Sequence, residues 1–201
     1  MHWRTICQTC EATLQQKTTT MVRWLRPMTQ RVKINSDGSC NQGMCGGGGL
    51  VRDEHGRFIF AYTIHLGFGT SNMAEASAML FGLKWCAHNG FRTALGETDS
   101  LLLAKCINRE WKIPWRILNF IEEIQSLVEE HGFEINHSYR ETNQPADRLA
   151  NLGHSIPGTQ VFNSFAELSK HIRGLINIDR WNLPSFRVKH TKYAQIAYEP
   201  P

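Results

Sequence analysis

Asp37, Glu75, Asp99 and Asp147 are four acids spread widely along a chain of 201 residues. Each has an ordinary structural reading. Asp37 precedes Gly38 and can open a turn. Glu75 stands three residues after Asn72, the spacing of a capping box. Asp99 can cap the helix that follows it, and Asp147 can sit in a first turn, where the helix dipole favours acids. Taken together they suggest something else. All four stand at expected strand ends or helix starts, and such ends gather at one edge of a sheet. Carboxylates crowded there cannot all stay ionised unless cations are bound. Oxygen ligands with no Cys or His cluster beside them select Mg²⁺ or Mn²⁺ over zinc. Two such ions about 4 Å apart suit in-line displacement at phosphorus, one activating water and the other steadying the leaving oxygen. In outline this is the chemistry of a phosphodiester hydrolase.

The elements that must position these acids follow from the pattern of the chain. Val32 and Ile34 alternate with Lys33 and Asn35 as a strand that ends at Asp37, before Gly38. The run Gly46-Gly47-Gly48-Gly49 leads into Leu50-Val51-Arg52. A phosphate-cradling loop would open a helix and carry Lys-Ser/Thr, whereas this run enters a second strand, where glycine lets a backbone or ligand approach closely. Asp53 to Gly56 reads as a turn, and a third strand follows with Phe58, Phe60, Tyr62, Ile64 and Leu66 on one face. Thr70-Ser71-Asn72 is a cap cluster ahead of a helix over 73–89, whose Ala76, Met79, Leu80, Leu83 and Ala87 would face the sheet and which Gly90 ends. A fourth strand over 91–98 delivers Asp99. A short apolar helix follows, then a connector carrying Trp111 and Trp115, which are expected to pack. A helix over 116–131 stops at Gly132, a fifth strand covers 133–139, and Pro145 opens a last core helix that carries Asp147. The expected fold is α/β: a five-stranded mixed sheet, its first three strands antiparallel, flanked by helices.

Residues 31–155 hold this pattern. Residues 1–30 read as a poorly ordered leader in which Trp24 and Pro27 pack as an entry segment. Residues 156–201, beyond the boundary at Pro157-Gly158, read as an extension that is partly helical, over 165–176, and otherwise an extended tail. Cys7-Gln8-Thr9-Cys10 supplies only half of a zinc site. The six cysteines are expected to stay reduced, because a chain of this size and composition needs no staples. No apolar run reaches the ~20 residues that span a bilayer, and the N-terminus has no signal core, so the expectation is an intracellular protein of nucleus or cytoplasm, without a membrane partner and monomeric. The net charge of +4 is uneven. Residues 31–153 hold 12 Lys and Arg against 14 Asp and Glu, while the two flanks carry +3 each. Bound cations would turn the central segment favourable to a phosphate backbone.

Asp37-Gly38-Ser39, Ala74-Glu75, Thr98-Asp99-Ser100 and Asn143 to Ala150 together resemble the four blocks of type 1 ribonuclease H. The Gly48 to Asp53 run and the Tyr139-Arg140-Glu141 lead-in resemble the plant, retroelement-related branch of that family. The resemblance covers roughly residues 31–155. It implies that Asp37, Glu75, Asp99 and Asp147 are catalytic metal ligands for two Mg²⁺ or Mn²⁺ ions. The implied activity is endonucleolytic cleavage of the RNA strand of an RNA/DNA hybrid, leaving a 3′-hydroxyl and a 5′-phosphate. It also implies that Thr70, Ser71 and Asn72, with Asn41 and Gln42 and with Arg140, meet the nucleic acid, reading 2′-hydroxyls and shape rather than sequence.

The chain departs from the family in three places, one of them Leu101, where bacterial forms often carry a glutamine just after the Asp-Ser pair. Many members carry a histidine before the last aspartate, but residues 139–143 hold none, so either Arg140 or Glu141 substitutes or turnover is slow. The long basic protrusion of some members is reduced to Arg109 through Arg116, so affinity would lean on the basic flanks and fall with salt. The leading reading is a hybrid-cleaving hydrolase. The alternative is a domesticated nucleic-acid-binding or interaction module with little or no catalysis.

Overall fold

The computed structural model describes residues 3–5 and 16–191. Cys7 and Cys10 lie outside the described residues, as does the chain beyond 191. In order, the strands are β1 (Gln16–Val22), β2 (Val32–Asn41), β3 (Met44–Arg52), β4 (Phe58–Phe68), β5 (Ala94–Thr98), β6 (Glu134–His137), β7 (Thr159–Phe162) and β8 (Ser185–Thr191). The helices are α1 (Ser71–His88), α2 (Leu101–Ile107), α3 (Leu118–His131), α4 (Gln144–Leu152) and α5 (Lys170–Arg180).

The main sheet has strand order β6-β5-β2-β3-β4-β7. β2, β3 and β4 form the expected antiparallel meander, and β5 and β6 add in parallel on the other side of β2. The sheet has six strands, one more than the five expected. β7 pairs antiparallel with β4 through four residues that follow Pro157-Gly158, a stretch too short to stand out as a strand. Helices α1, α2 and α3 pack one face around Ile34, Phe60, Tyr62, Met79, Leu83 and Ile121. Helices α4 and α5 cover the other face with Leu50, Ala61, Leu149, Phe162 and Ile176. The expected single apolar face of β4 breaks at its start. The register shifts between Val51 and Arg52, so the extra residue of a bulge turns Phe58 to the second face, where its ring lies 6.0 Å from that of Phe165.

The flanks are more ordered than their composition suggests. Residues 16–22 of the expected leader form β1, and residues 185–191 of the expected extended tail form β8. The two pair antiparallel as a separate ribbon. The expected helix over 165–176 is a short 3-10 turn at Phe165–Glu167 followed by α5. Trp24 is buried, as is Pro27, and its Nε1 donates to Asn35 Oδ1 at 2.9 Å.

Both flanks close on one charged network inside the sheet. Arg52 is fully buried under the Trp24 ring, 3.8 Å away. It donates to Asp179 Oδ2 on α5 and to Asn35 Oδ1, both at 2.7 Å. Lys33, also buried, donates to the Leu25 carbonyl at 2.6 Å and to Glu97 at 2.5 Å. Buried charges persist only when paired in this way.

Cys40 and Cys45, expected to be reduced, are joined by a disulfide. They face each other in register across the β2–β3 hairpin with their Cα atoms 4.1 Å apart. Cys86 and Cys106 are free and buried. Among the described residues no helix is long and apolar enough to cross a membrane.

Candidate active site

Parallel pairing of β2 with β5 puts Ser36 opposite Thr98, so the next residues on the two strands, Asp37 and Asp99, emerge side by side. Glu75 reaches them from α1, and Gly38 is what lets it. A Cβ on Gly38 would lie 2.1 Å from Glu75 N and 2.4 Å from Ala74 C, so only glycine permits the first turn of α1 to cross β2 at this point. The acceptor that caps α1 is Thr70 Oγ1, bonded to Met73 N at 3.4 Å; Asn72 lies within the helix, so the capping-box reading of Asn72 and Glu75 falls away. Likewise Ser100, not Asp99, caps α2. Relieved of capping duties, both acids turn to the site.

Carboxylate oxygens of Asp37, Glu75 and Asp99 all lie within 4.8 Å of one another. Asp147 stands outside this set, in the first turn of α4, where the helix dipole favours an acid. Its Oδ1 accepts from Arg140 Nη2 at 3.0 Å. A second glycine sets the height of α4. A Cβ on Gly48, which pairs with Asp37 in register, would lie 2.2 Å from Ala150 N, so the helix carrying Asp147 can sit directly on β3. The glycine run therefore serves the close approach of a helix, one of the uses expected for it.

The electrostatics are those of a crowded acid site. Burial, then the charges of Asp99 and Asp147, push the Asp37 carboxyl up to about 8. Burial and the neighbouring Asp37 and Asp99 hold Glu75 well above the usual carboxylate range, opposed by a hydrogen bond from Thr98 Oγ1 at 3.3 Å. Asp99 Oδ1 is buried with no hydrogen-bond partner. Three converging carboxylates, one with an orphaned oxygen, fit a hard divalent cation, and no nitrogen or sulfur ligand joins them in the cluster.

Around the acids lie the other residues singled out in the sequence. Asn41 and Gln42 are exposed at the tip of the β2–β3 hairpin, which turns through Gln42 and Gly43 with φ of 49° and 85°. Gly43 accepts at its carbonyl from Gly69 N at 2.9 Å, which ties this tip to the start of α1, where Thr70 is half-buried and Ser71 and Asn72 are exposed. The two sets thus form one polar rim. Arg140, bonded to Asp147, has 76% of its side chain exposed. Trp111 and Trp115 do not pack as expected: they are 48% and 79% exposed, because Ile113 and Ile117 take the core positions of that connector.

Two positioning residues carry weaker sequence signals. Thr98, just before an acid, holds Glu75. Asn143, fully buried, donates from Nδ2 to the Ser36 carbonyl at 2.9 Å, and only its place two residues before the helix-opening Pro145 hints at a role.

A family model described as "Reverse transcriptase-like" matches residues 35–153, which contain all four acids. The chain belongs to this family of ribonuclease H domains. An Arabidopsis thaliana protein provisionally named a ribonuclease H protein is 24% identical over 168 residues, covering 82% of this chain; the chain spans 27% of that relative's length. The fold is that of solved ribonucleases H1. The enzyme of the archaeon Halobacterium salinarum aligns with a TM-score of 0.59 and 25% identity over 62% of this chain and 98% of its own. The N-terminal ribonuclease H domain of a Mycobacterium tuberculosis protein aligns with a TM-score of 0.59 and 26% identity over 62% of this chain and 94% of that one. A ribonuclease H1 from a compost metagenome, solved with an RNA/DNA hybrid, aligns with a TM-score of 0.56 and 22% identity over 60% and 94%. β1, β8 and the segments around them lie outside the family match.

Proposed function

We propose that this ribonuclease H domain is an endoribonuclease that hydrolyses the RNA strand of RNA/DNA hybrids, leaving a 3′-hydroxyl and a 5′-phosphate. The observation that carries the reading is the convergence of Asp37, Glu75 and Asp99 within 4.8 Å at the sheet end, with Asp147 close enough for its charge to act on Asp37. Asp37, Glu75, Asp99 and Asp147 would hold two Mg²⁺ or Mn²⁺ ions, which supply a nucleophilic water and charge stabilisation for in-line displacement at phosphorus.

The protein's own residues prepare that chemistry. Thr98 fixes Glu75, and Asn143 fixes the turn ahead of α4 against the strand that carries Asp37. Arg140, in the lead-in where many family members carry a histidine, holds Asp147 in its first-turn position. The rim of Asn41, Gln42, Thr70, Ser71 and Asn72 offers short polar side chains to 2′-hydroxyls and phosphates. Hybrid recognition by shape follows, without base readout.

The test is incubation of the purified chain with an end-labelled hybrid and Mg²⁺, beside Asp37→Asn. Cleavage by the intact protein and its loss in the variant is the expected result. Binding without cleavage by the intact protein would replace the enzyme with a binding module, and equal cleavage by the variant would overturn the assignment of the site.

A further inference from the structure

The ribbon of β1 and β8 lies outside the family match, yet it reaches the candidate site. Arg187 of β8 stacks its guanidinium over the Tyr139 ring at 4.3 Å. Tyr139 is 45% exposed and directly precedes Arg140, which holds Asp147. A chain of contacts thus runs from the ribbon to the fourth acid.

The two faces of the ribbon differ. Residues opposite in register share a face, so Thr20 with Arg187 and Thr18 with Lys189 lie on the face of buried Val22, which is turned toward the body of the protein. Met21 with Phe186 and Thr19 with Val188 lie on the outer face, as does Lys17 nearer the ribbon's tip, so that face is mainly apolar with a single lysine on β1. On the inner face, two successive cations of β8 stand opposite two hydroxyls of β1. Thr18, Thr20 and Lys189 are exposed, and Arg187 is half-buried on Tyr139. Residues 16–22 and 181–191 contain no acid, so nothing within the ribbon neutralises this row. Between the ribbon's root and the end of β6 lies a cavity of about 550 Å³ bordered by Arg23, His137 and Tyr139. Its one acid, Glu97, is already bonded by Lys33 and Asn35.

We propose that the inner face of the β1–β8 ribbon is a phosphate rail that grips the backbone of a bound nucleic acid beyond the catalytic acids, with Arg187 and Lys189 as its cations. The inference rests on the nucleic-acid reading of the site. A polyanion is favoured over an acidic protein segment because the rail is continuous with a site built to act on phosphodiesters. Cross-strand pairs of hydroxyl and cation, repeated along the ribbon, give hydrogen-bond donors and charge that position a backbone without reading its sequence. Residues outside the family's common core would thereby supply the grip that the short connector at 109–116 lacks.

The test is fluorescence anisotropy of a labelled RNA/DNA hybrid of about 20 base pairs with the full chain in EDTA, from about 50 to 200 mM KCl. Arg187→Glu/Lys189→Glu is expected to weaken binding at least tenfold at low salt. It is also expected to lower the slope of log K against log salt by about two, since each phosphate contact contributes about 0.9. Lys189→Ala, at an exposed strand position, is expected to lower the slope by about one and guards against a folding failure of the double variant. Unchanged affinity and slope in Lys189→Ala and in a folded double variant would overturn the rail. Cleavage by the wild-type chain in Mg²⁺ is scored separately. Cleavage with unchanged slopes sinks the rail alone, whereas reduced slopes without cleavage keep the rail and sink the enzymatic reading.

Discussion

Asn143 donates from Nδ2 to the Ser36 carbonyl at 2.9 Å, joining the turn before α4 to the strand residue just ahead of Asp37. Two acids 110 positions apart are thereby held in one frame. Asn143→Ala strands that carbonyl in the interior, which is expected to cost about 1–3 kcal/mol of stability. Hybrid cleavage should fall by about 10- to 100-fold, the usual range for a residue that orients a metal ligand. Urea titration and initial rates on one preparation check both, and a variant with unchanged rates would remove Asn143 from the site's support.

Asp37→Asn replaces a carboxylate of the Asp37, Glu75 and Asp99 cluster with a side chain of the same shape. Cleavage is expected to fall at least about a hundredfold. Because Asn sits beside Asp99 and Glu75 without having to take up a proton, as Asp37 must, the metal-free variant should melt higher than the wild type at pH 7. A thermal scan in EDTA reads this sign directly.

The raised carboxyls fix a pH dependence. Asp37 titrates at about 8 in the folded protein, against about 4 in an unfolded chain, so the folded state binds the extra proton between those values. Stability of the metal-free protein is therefore fully present below about pH 4 as far as this group is concerned, and declines as pH rises through about 8. Bound Mg²⁺ needs the ionised form, so the gain in melting temperature on adding Mg²⁺ should grow from pH 6 to about 9. A gain that shrinks with pH would contradict this.

Asp179→Ala leaves the fully buried Arg52 guanidinium without its counter-charge. A loss of about 3–5 kcal/mol is expected by urea denaturation. Arg52 and Asp179 replaced together by apolar residues should recover much of it, since the pair is costly mainly when half of it remains.

Gly48→Ala drives a methyl against Ala150 N and lifts the helix that bears Asp147. Overpacking of this kind costs about 1–3 kcal/mol, and cleavage should fall with it. Gly90→Ala, at a helix end with no neighbour within 4 Å of the added methyl, has no such effect on the site, though its φ of 76° carries a local strain.

The order of strands and helices from Val32 to Leu152 was legible because alternation, helical spacing and glycine stops agree there. The acids drew attention through an expected shared position at element ends, which holds for Asp99 just after β5 and for Asp147 in the first turn of α4, whereas β2 does not end at Asp37 but runs on to Asn41 with Asp37 inside it. What escaped was long in range or weak in pattern. β1 is Thr-rich, without an apolar period, and its partner lies at the far end of the chain. Arg52 and Asp179 are 127 positions apart, and each looks like an ordinary surface charge in its own segment. The outward turn of Trp111 and Trp115 follows from competition for core sites that Ile113 and Ile117 win, a contest no local spacing records.

The pairing of β1 with β8 also has a mechanical meaning. Gln16 pairs with Thr191, so a polypeptide passing through these residues enters and leaves the domain at points one interstrand spacing, about 5 Å, apart. Such an arrangement can sit within a longer chain without moving the segments on either side. Tension applied through those two points would unzip the ribbon one pair at a time from its outer end. Arg187 would be drawn off Tyr139 before the six-stranded sheet bore any load.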